Sequence, residues 1–201
     1  MTDNIFVFDD IVPDWIYQSV CRNITSVPVT YGHRGLGPNQ GHAFFSKVWP
    51  RYELNNIPWE FSAIFESLNA NRDKLGDVVE LYLNQCQINI TTQNLNGGLH
   101  LDIGHTAWTM VHLICGDSGM DFWSDLPERG GTKIKEVDYK DNRCIIFPSN
   151  MLHRGLPPKK IEPRVSVGYV FSGIPVSQFS ANNNILFPIF KDEYEKAISA
   201  Q

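Results

Sequence analysis

The sequence predicts a mainly β domain of the α+β kind, a sandwich or barrel braced by N-terminal helices. Helically spaced apolar residues are confined to the first third of the chain, and short runs with two-residue alternation fill the stretch 78–171. Turn pairs such as Gly97-Gly98, Gly116-Asp117, Gly130-Gly131 and Asp141-Asn142 punctuate those runs. Helices first and strands afterwards argue for one sheet system with helices packed against it. With 201 residues and 42% hydrophobic content, the chain can bury one substantial core. A single domain over 1–201 is therefore expected, with helical support over about 1–76, a strand-rich core over about 77–173 and a tail over 174–201.

In chain order, residues 4–8 read as a strand. Pro13-Asp14 followed by Trp15, Ile16, Val20 and Ile24 reads as a helix with proline near its first turn. The glycine-rich segment 31–42 lacks the Gly-Lys-Ser/Thr ending of a phosphate loop, and 31–52 is expected to form part of a lid. Phe61, Ile64, Phe65 and Leu68 place a second helix over 58–74. Strands are expected at 78–90, 99–103, 108–115, 120–123, 133–137, 143–147 and 164–171, with a short surface helix at 191–200.

The charge balance is acidic, 22 Asp plus Glu against 17 Lys plus Arg, and no basic run stands out. Nucleic acid, which selects clustered positive charge, is not an expected partner. The cysteines Cys21, Cys86, Cys115 and Cys144 form no Cys-x-x-Cys pair, and three sit in apolar runs typical of reduced structural cysteine. The first residues lack the basic region of a secretory signal, and no apolar stretch reaches membrane-spanning length. A soluble protein of the reducing cytoplasm, without a membrane partner, is expected.

The chemistry-bearing residues are His100 and Asp102 in Gly98-Leu99-His100-Leu101-Asp102, His153 after Phe147-Pro148-Ser149, and Arg164 in Pro163-Arg164-Val165-Ser166. On a strand, residues two apart share a face, so His100 and Asp102 can reach one ion while Leu99 and Leu101 turn away. A distant strand can supply His153. Two imidazoles and one carboxylate fill one face of an octahedral ferrous ion and leave the other open for a co-substrate and dioxygen. Arg164 opens a second alternation, sharing a face with Ser166, Gly168 and Val170. A forked guanidinium with a hydroxyl two residues on is what a buried carboxylate requires, and an unpaired arginine facing a core would be costly.

On these motifs the chain resembles the iron(II)- and 2-oxoglutarate-dependent dioxygenases, and among them the prolyl 4-hydroxylase-like branch. The opening Ile5-Phe6-Val7-Phe8-Asp9-Asp10 and the strand Arg143-Cys144-Ile145-Ile146-Phe147-Pro148 are similar to that branch as well. The resemblance implies a double-stranded β-helix, or jelly roll, with the site in its mouth. It makes His100, Asp102 and His153 both metal ligands and catalytic residues, and Arg164, assisted by Ser166, the anchor of the distal carboxylate of 2-oxoglutarate. It implies iron(II), 2-oxoglutarate as co-substrate and dioxygen, with ascorbate as an optional reductant.

The chain departs from the pattern upstream of His100, where many relatives carry a tyrosine that touches 2-oxoglutarate. Gln87, Asn89 or Thr91 is left to take its place, with Asn89 and Thr91 as the candidates for cofactor binding. Many prolyl hydroxylases use lysine where Arg164 stands. The presence of Asp102 favours hydroxylation over the halogenating relatives, which lack that carboxylate.

The expected substrate is a peptide or small molecule: a peptidyl proline, an amino acid or a metabolite. Oligomeric state is left open. Two other classes compete: a cupin-like barrel that binds metal without turnover, and a nucleic-acid demethylase. The latter usually carries Arg-x-Asn-x-x-x-Arg, which the stretch from Arg164 lacks. His33 and His42 read as ordinary polar loop residues, His105 as a solvated histidine or one that supports the metal ligands from behind, and His112 as a buried, satisfied one. Among the aromatics, Tyr31, Phe44, Phe45, Trp49, Tyr52 and Trp123 read mostly as core or rim packing, and Arg34, Arg51 and Arg154 as solvated.

Overall fold

The computed structural model describes residues 4–33, 44–75, 81–93, 98–102 and 107–173. Its strands are β1 (Phe6–Phe8), β2 (Thr30–His33), β3 (Phe44–Pro50), β4 (Tyr82–Thr91), β5 (Trp108–Cys115), β6 (Met120–Trp123), β7 (Lys133–Val137), β8 (Cys144–Pro148), β9 (Leu152–Gly155) and β10 (Arg164–Ser172). Helices α1 (Asp14–Asn23) and α2 (Trp59–Ala70) precede the main run of strands.

The strands form a seven-stranded sheet ordered β1-β8-β5-β10-β4-β3-β2 and a three-stranded sheet ordered β7-β6-β9, with antiparallel pairing in both. From β5 onward the chain crosses repeatedly between the sheets, and the segment 98–102 joins the small one through an antiparallel bridge of His100 with His153. This is the jelly roll.

Both helices begin after a proline. Pro13 lends its carbonyl to the amides of Ile16 and Tyr17, and Pro58 does the same for Phe61 and Ser62, so the missing proline amide is lost where no helical partner exists anyway. Apolar stripes on the two helices cover the outer face of the large sheet. There Val20, Ile64 and Leu68 pack with Cys86, Ile88, Met110, Val167 and Tyr169. A second core fills the space between the sheets, built from Val111, Leu113, Met120, Phe122, Ile145 and Phe147. The large sheet is thus apolar on both faces except where it lines the site.

Several expectations are corrected. Much of the stretch read as a lid is sheet: β2 and β3 extend the large sheet beyond β4, and a 3-10 helix over Arg51–Asn56 follows, while 34–43 lies outside the described residues. The sequence pattern of β3 is disguised because Ser46 and Lys47 interrupt its apolar run, and its ladder with β4 stabilises it regardless. The segment 99–103 is a single bridge rather than a regular strand, and Ile103 lies outside the described residues. His153 sits inside β9. The second helix stops at Ala70 and continues as a 3-10 turn over Arg72–Leu75. The helix expected at 191–200 lies outside the described residues. Among the described residues no helix is long and apolar enough to cross a membrane.

Candidate metal centre and anion pocket

Two segments, 98–102 and β9, bring the proposed ligands together. The paired backbones of His100 and His153, with N–H to carbonyl distances of 3.0 and 3.1 Å, set the two imidazoles side by side, ring centroids 4.5 Å apart. The amide of Asp102 donates to the carbonyl of Ser149 at 3.0 Å, which turns its carboxylate back toward both rings. One ligand atom from each of His100, Asp102 and His153 lies within 4.8 Å of the others.

The imidazoles are oriented by their far nitrogens. His100 Nδ1 sits 2.9 Å from the Gly98 carbonyl and His153 Nδ1 sits 2.8 Å from that of Met151. A carbonyl only accepts, so Nδ1 carries the proton and each Nε2 is left as a lone-pair donor. Those Nε2 atoms lie 3.4 and 3.5 Å from the two oxygens of Asp102.

The Thr109 hydroxyl donates to Asp102 Oδ2 at 2.6 Å and meets Ser149 Oγ at 2.9 Å. Burial works against the charged carboxylate, yet the two histidines and this hydroxyl outweigh it and hold Asp102 down at about 2. Burial, partly opposed by Asp102, pushes His153 down to about 4. For His100 burial is likewise the largest influence, but Asp102 overcomes it and the net shift is upward. An ionised carboxylate with two imidazole lone pairs suits a borderline divalent metal such as iron(II), and hard calcium or magnesium would prefer oxygen alone.

Arg164 lines the same cavity as the three ligands and is only 3% exposed. Its Nε donates to the Ser118 carbonyl at 3.0 Å and one terminal nitrogen to Ser166 Oγ at 3.1 Å, and among the described residues no carboxylate meets it. Burial lowers it to about 10, so it stays charged at neutral pH. Two glycines make room for it. A Cβ at Gly155 would sit 2.8 Å from Arg164 Nη1, and one at Gly116 would sit 3.0 Å from Arg164 Cα. A buried cation without a counter-charge is unfavourable unless a ligand supplies one.

The predicted alternation of β10 is observed. Arg164, Ser166, Gly168 and Val170 line the cavity with His100, Asp102 and His153, while Val165, Val167, Tyr169 and Phe171 join the helix-side core. Of the three upstream candidates, Gln87 and Asn89 line the cavity. Thr91 faces Arg164 in the β4–β10 register but is not part of the cavity wall, and its hydroxyl is buried without a partner among the described residues.

Sequence reasoning missed the roles of Thr109, Ser149, Gly155 and Gly116: Gly116 was legible only as a turn residue, Ser149 only as part of the run leading to His153, and Thr109 only as a hydroxyl within the otherwise apolar start of β5. His112 is buried as expected, with Nε2 2.8 Å from Asn142 Oδ1, but it is only half satisfied: its Nδ1 is buried with no partner among the described residues. Arg154, expected in solvent, instead forms a forked pair with the fully buried Asp121, its nearest contacts 2.9 and 3.0 Å, and stacks on Trp123. His42, His105 and Arg34 lie outside the described residues.

A wider groove adjoins the first cavity at His100 and is largely apolar, with Leu99, Leu101, Trp123, Leu126, Met151 and Leu152 in its wall.

No protein-family model and no curated protein sequence matches the chain. Solved structures do. An oxidoreductase of the 2OG-Fe(II) oxygenase family from Burkholderia pseudomallei superposes with a TM-score of 0.64 at 16% identity, over 84% of this chain and 85% of that one. A prolyl hydroxylase from Trichoplax adhaerens, in complex with a hypoxia inducible factor oxygen degradation domain peptide fragment, gives 0.57 at 12% identity, over 85% and 84%. HygX from Streptomyces hygroscopicus, with nickel, 2-oxoglutarate and hygromycin B bound, gives 0.60 at 12%, over 85% and 83%. The chain has the fold of the 2-oxoglutarate–iron(II) oxygenases.

Proposed function

We propose that the protein is an iron(II)- and 2-oxoglutarate-dependent oxygenase that hydroxylates a C–H bond of a peptidyl proline, an amino acid or a small metabolite, releasing succinate and carbon dioxide. One observation carries the reading: a single cavity lined both by the His100–Asp102–His153 cluster and by a buried, charged Arg164 that meets no carboxylate among the described residues. Such a site suits a ligand with a metal-chelating head and a distant carboxylate, which describes 2-oxoglutarate. The donor set fits iron(II), which when bound supplies the oxidising chemistry on dioxygen.

The chain's own part is placement. Nε2 of His100, Nε2 of His153 and the Asp102 carboxylate would hold the metal, and Thr109 keeps that carboxylate aimed. Arg164 and Ser166 would take the distal carboxylate in charge-assisted hydrogen bonds, with Asn89 where relatives place a tyrosine. Phe122 and Phe147 pack on the His153 ring, 6.2 and 4.5 Å between centroids, and exclude water behind it. The apolar groove beside His100 supports a substrate with hydrocarbon surface. Peptide and small-molecule substrates both stay in the proposal, since relatives of this fold hold one or the other.

Anaerobic addition of iron(II) and then 2-oxoglutarate to the metal-free protein, with ascorbate in later turnover assays, tests the reading. A visible metal-to-ligand charge-transfer band, absent in Asp102→Ala, is expected. His153→Ala should abolish succinate release in a folded chain, and Arg164→Ala should mainly raise the 2-oxoglutarate requirement. Iron binding without a band would leave a metal-binding barrel instead of an oxygenase.

A further inference from the structure

The amide side chains of β4 form a hydrogen-bonded ladder with a direction. Gln85 Nε2 donates to Gln87 Oε1 at 3.3 Å. Gln87 Nε2 donates to Asn89 Oδ1 at 2.6 Å and to Ser46 Oγ at 3.0 Å, and the Ser46 hydroxyl donates to Asn89 Oδ1 at 3.4 Å. A primary amide has two hydrogens and an oxygen with two lone pairs. Both hydrogens of Gln87 are therefore engaged, and both lone pairs of Asn89 Oδ1 are filled.

What remains at the end of the ladder is the Asn89 NH2 group, which none of the hydrogen bonds among the described residues uses. Asn89 lies directly across from Ser166 in the pairing of β4 with β10, and Arg164 is two residues further along. Arg164, Ser166 and Asn89 line one cavity. With the Asn89 oxygen turned away, that end of the cavity offers donors, which favours an anion and leaves a neutral ligand with unmet groups.

We propose that Gln87 is a positioning residue for the co-substrate: with Ser46 it fixes the Asn89 amide so that its NH2 faces the carboxylate bound by Arg164 and Ser166. This rests on the 2-oxoglutarate reading above and accounts for how the chain manages without the tyrosine of the resembled family. The arrangement needs β3, because Ser46 reaches the ladder only from the strand beside β4.

The test is a double-mutant cycle on the full chain, with Gln87→Met, Asn89→Ala and both together. The readout is the Kd for 2-oxoglutarate from the charge-transfer band of the anaerobic iron(II)-loaded protein, with iron affinity measured alongside. Gln87→Met should raise that Kd about three- to tenfold, within the range of one hydrogen bond to a charged group, and leave iron affinity unchanged. Added to Asn89→Ala it should have no further effect. In the wild type the Asn89 side-chain NH2 resonances should shift when 2-oxoglutarate is added.

An unchanged Kd in Gln87→Met, or an effect that adds in full on the Asn89→Ala background, overturns the proposal while leaving the oxygenase reading standing. A wild type that binds iron but shows no response to 2-oxoglutarate overturns both. Should Gln87→Met not fold, Ser46→Ala removes the other donor to Asn89 Oδ1 and is judged in the same cycle by the same outcomes.

Discussion

Asp102 is held by more than its neighbouring histidines: the Thr109 hydroxyl donates to it at 2.6 Å from within β5. Thr109→Val keeps the shape and removes that donor. Iron(II) affinity should fall roughly 10- to 100-fold, the usual consequence of losing an outer hydrogen bond to a metal-bound carboxylate, with the fold intact. Competition with a chromophoric chelator measures it, and an unaltered affinity would mean that Asp102 needs no such support. At this scale the sequence was informative where spacing determines geometry. Arg164 and Ser166, two apart, share a face for a reason that holds on any strand, whereas His100 and Asp102 converge through the His100–His153 bridge and the bond of the Asp102 amide to the Ser149 carbonyl. Thr109, Ser149, Gly116 and Gly155 act through distances to other strands, and local sequence carries no record of those distances.

Among the elements, β10 was readable because its two faces differ so sharply in polarity, and β3 was not, because Ser46 and Lys47 break its alternation. The join between β5, the turn before β8 and the segment before α1 was also invisible. There Asn142, at positive φ (62°), donates through Nδ2 to the Val12 carbonyl at 2.9 Å, so its Oδ1 accepts from His112 Nε2–H. Burial pushes His112 from its ordinary 6.5 down to about 4, with the Asn142 bond opposing weakly. The folded state then binds fewer protons than the unfolded one. Stability from this group is complete above about pH 6.5 and is lost as pH falls toward about 4. His112→Gln, which retains a donor but does not titrate, should flatten that slope by roughly 1–3 kcal/mol across the window. Urea unfolding of both proteins at several pH values decides it; parallel slopes would assign the acid sensitivity elsewhere.

For the whole molecule, the metal would link two segments about fifty residues apart in sequence, 98–102 and β9, which otherwise meet through one backbone bridge. A ligand that binds only the folded chain stabilises it by about 2.7 kcal/mol at a hundredfold excess over Kd, which for a chain of this size is a rise in Tm of roughly 5–10 °C. Scanning calorimetry with and without iron(II) under argon should show that rise in the wild type and none in Asp102→Ala. An equal rise in both would place the metal elsewhere.

The large sheet is one strand thick, yet it separates the helix-side core from the ligand cavity, and β10 contributes to both by turns. Val165, Val167, Tyr169 and Phe171 answer to the helices, and Arg164, Ser166, Gly168 and Val170 answer to the cavity. The two sets of positions are free to diverge independently. Selection can recast the cavity for a different acid or a different substrate by changing one set of residues, while the other keeps the scaffold upright. That separation gives such a barrel room to evolve new chemistry at little risk to its folding.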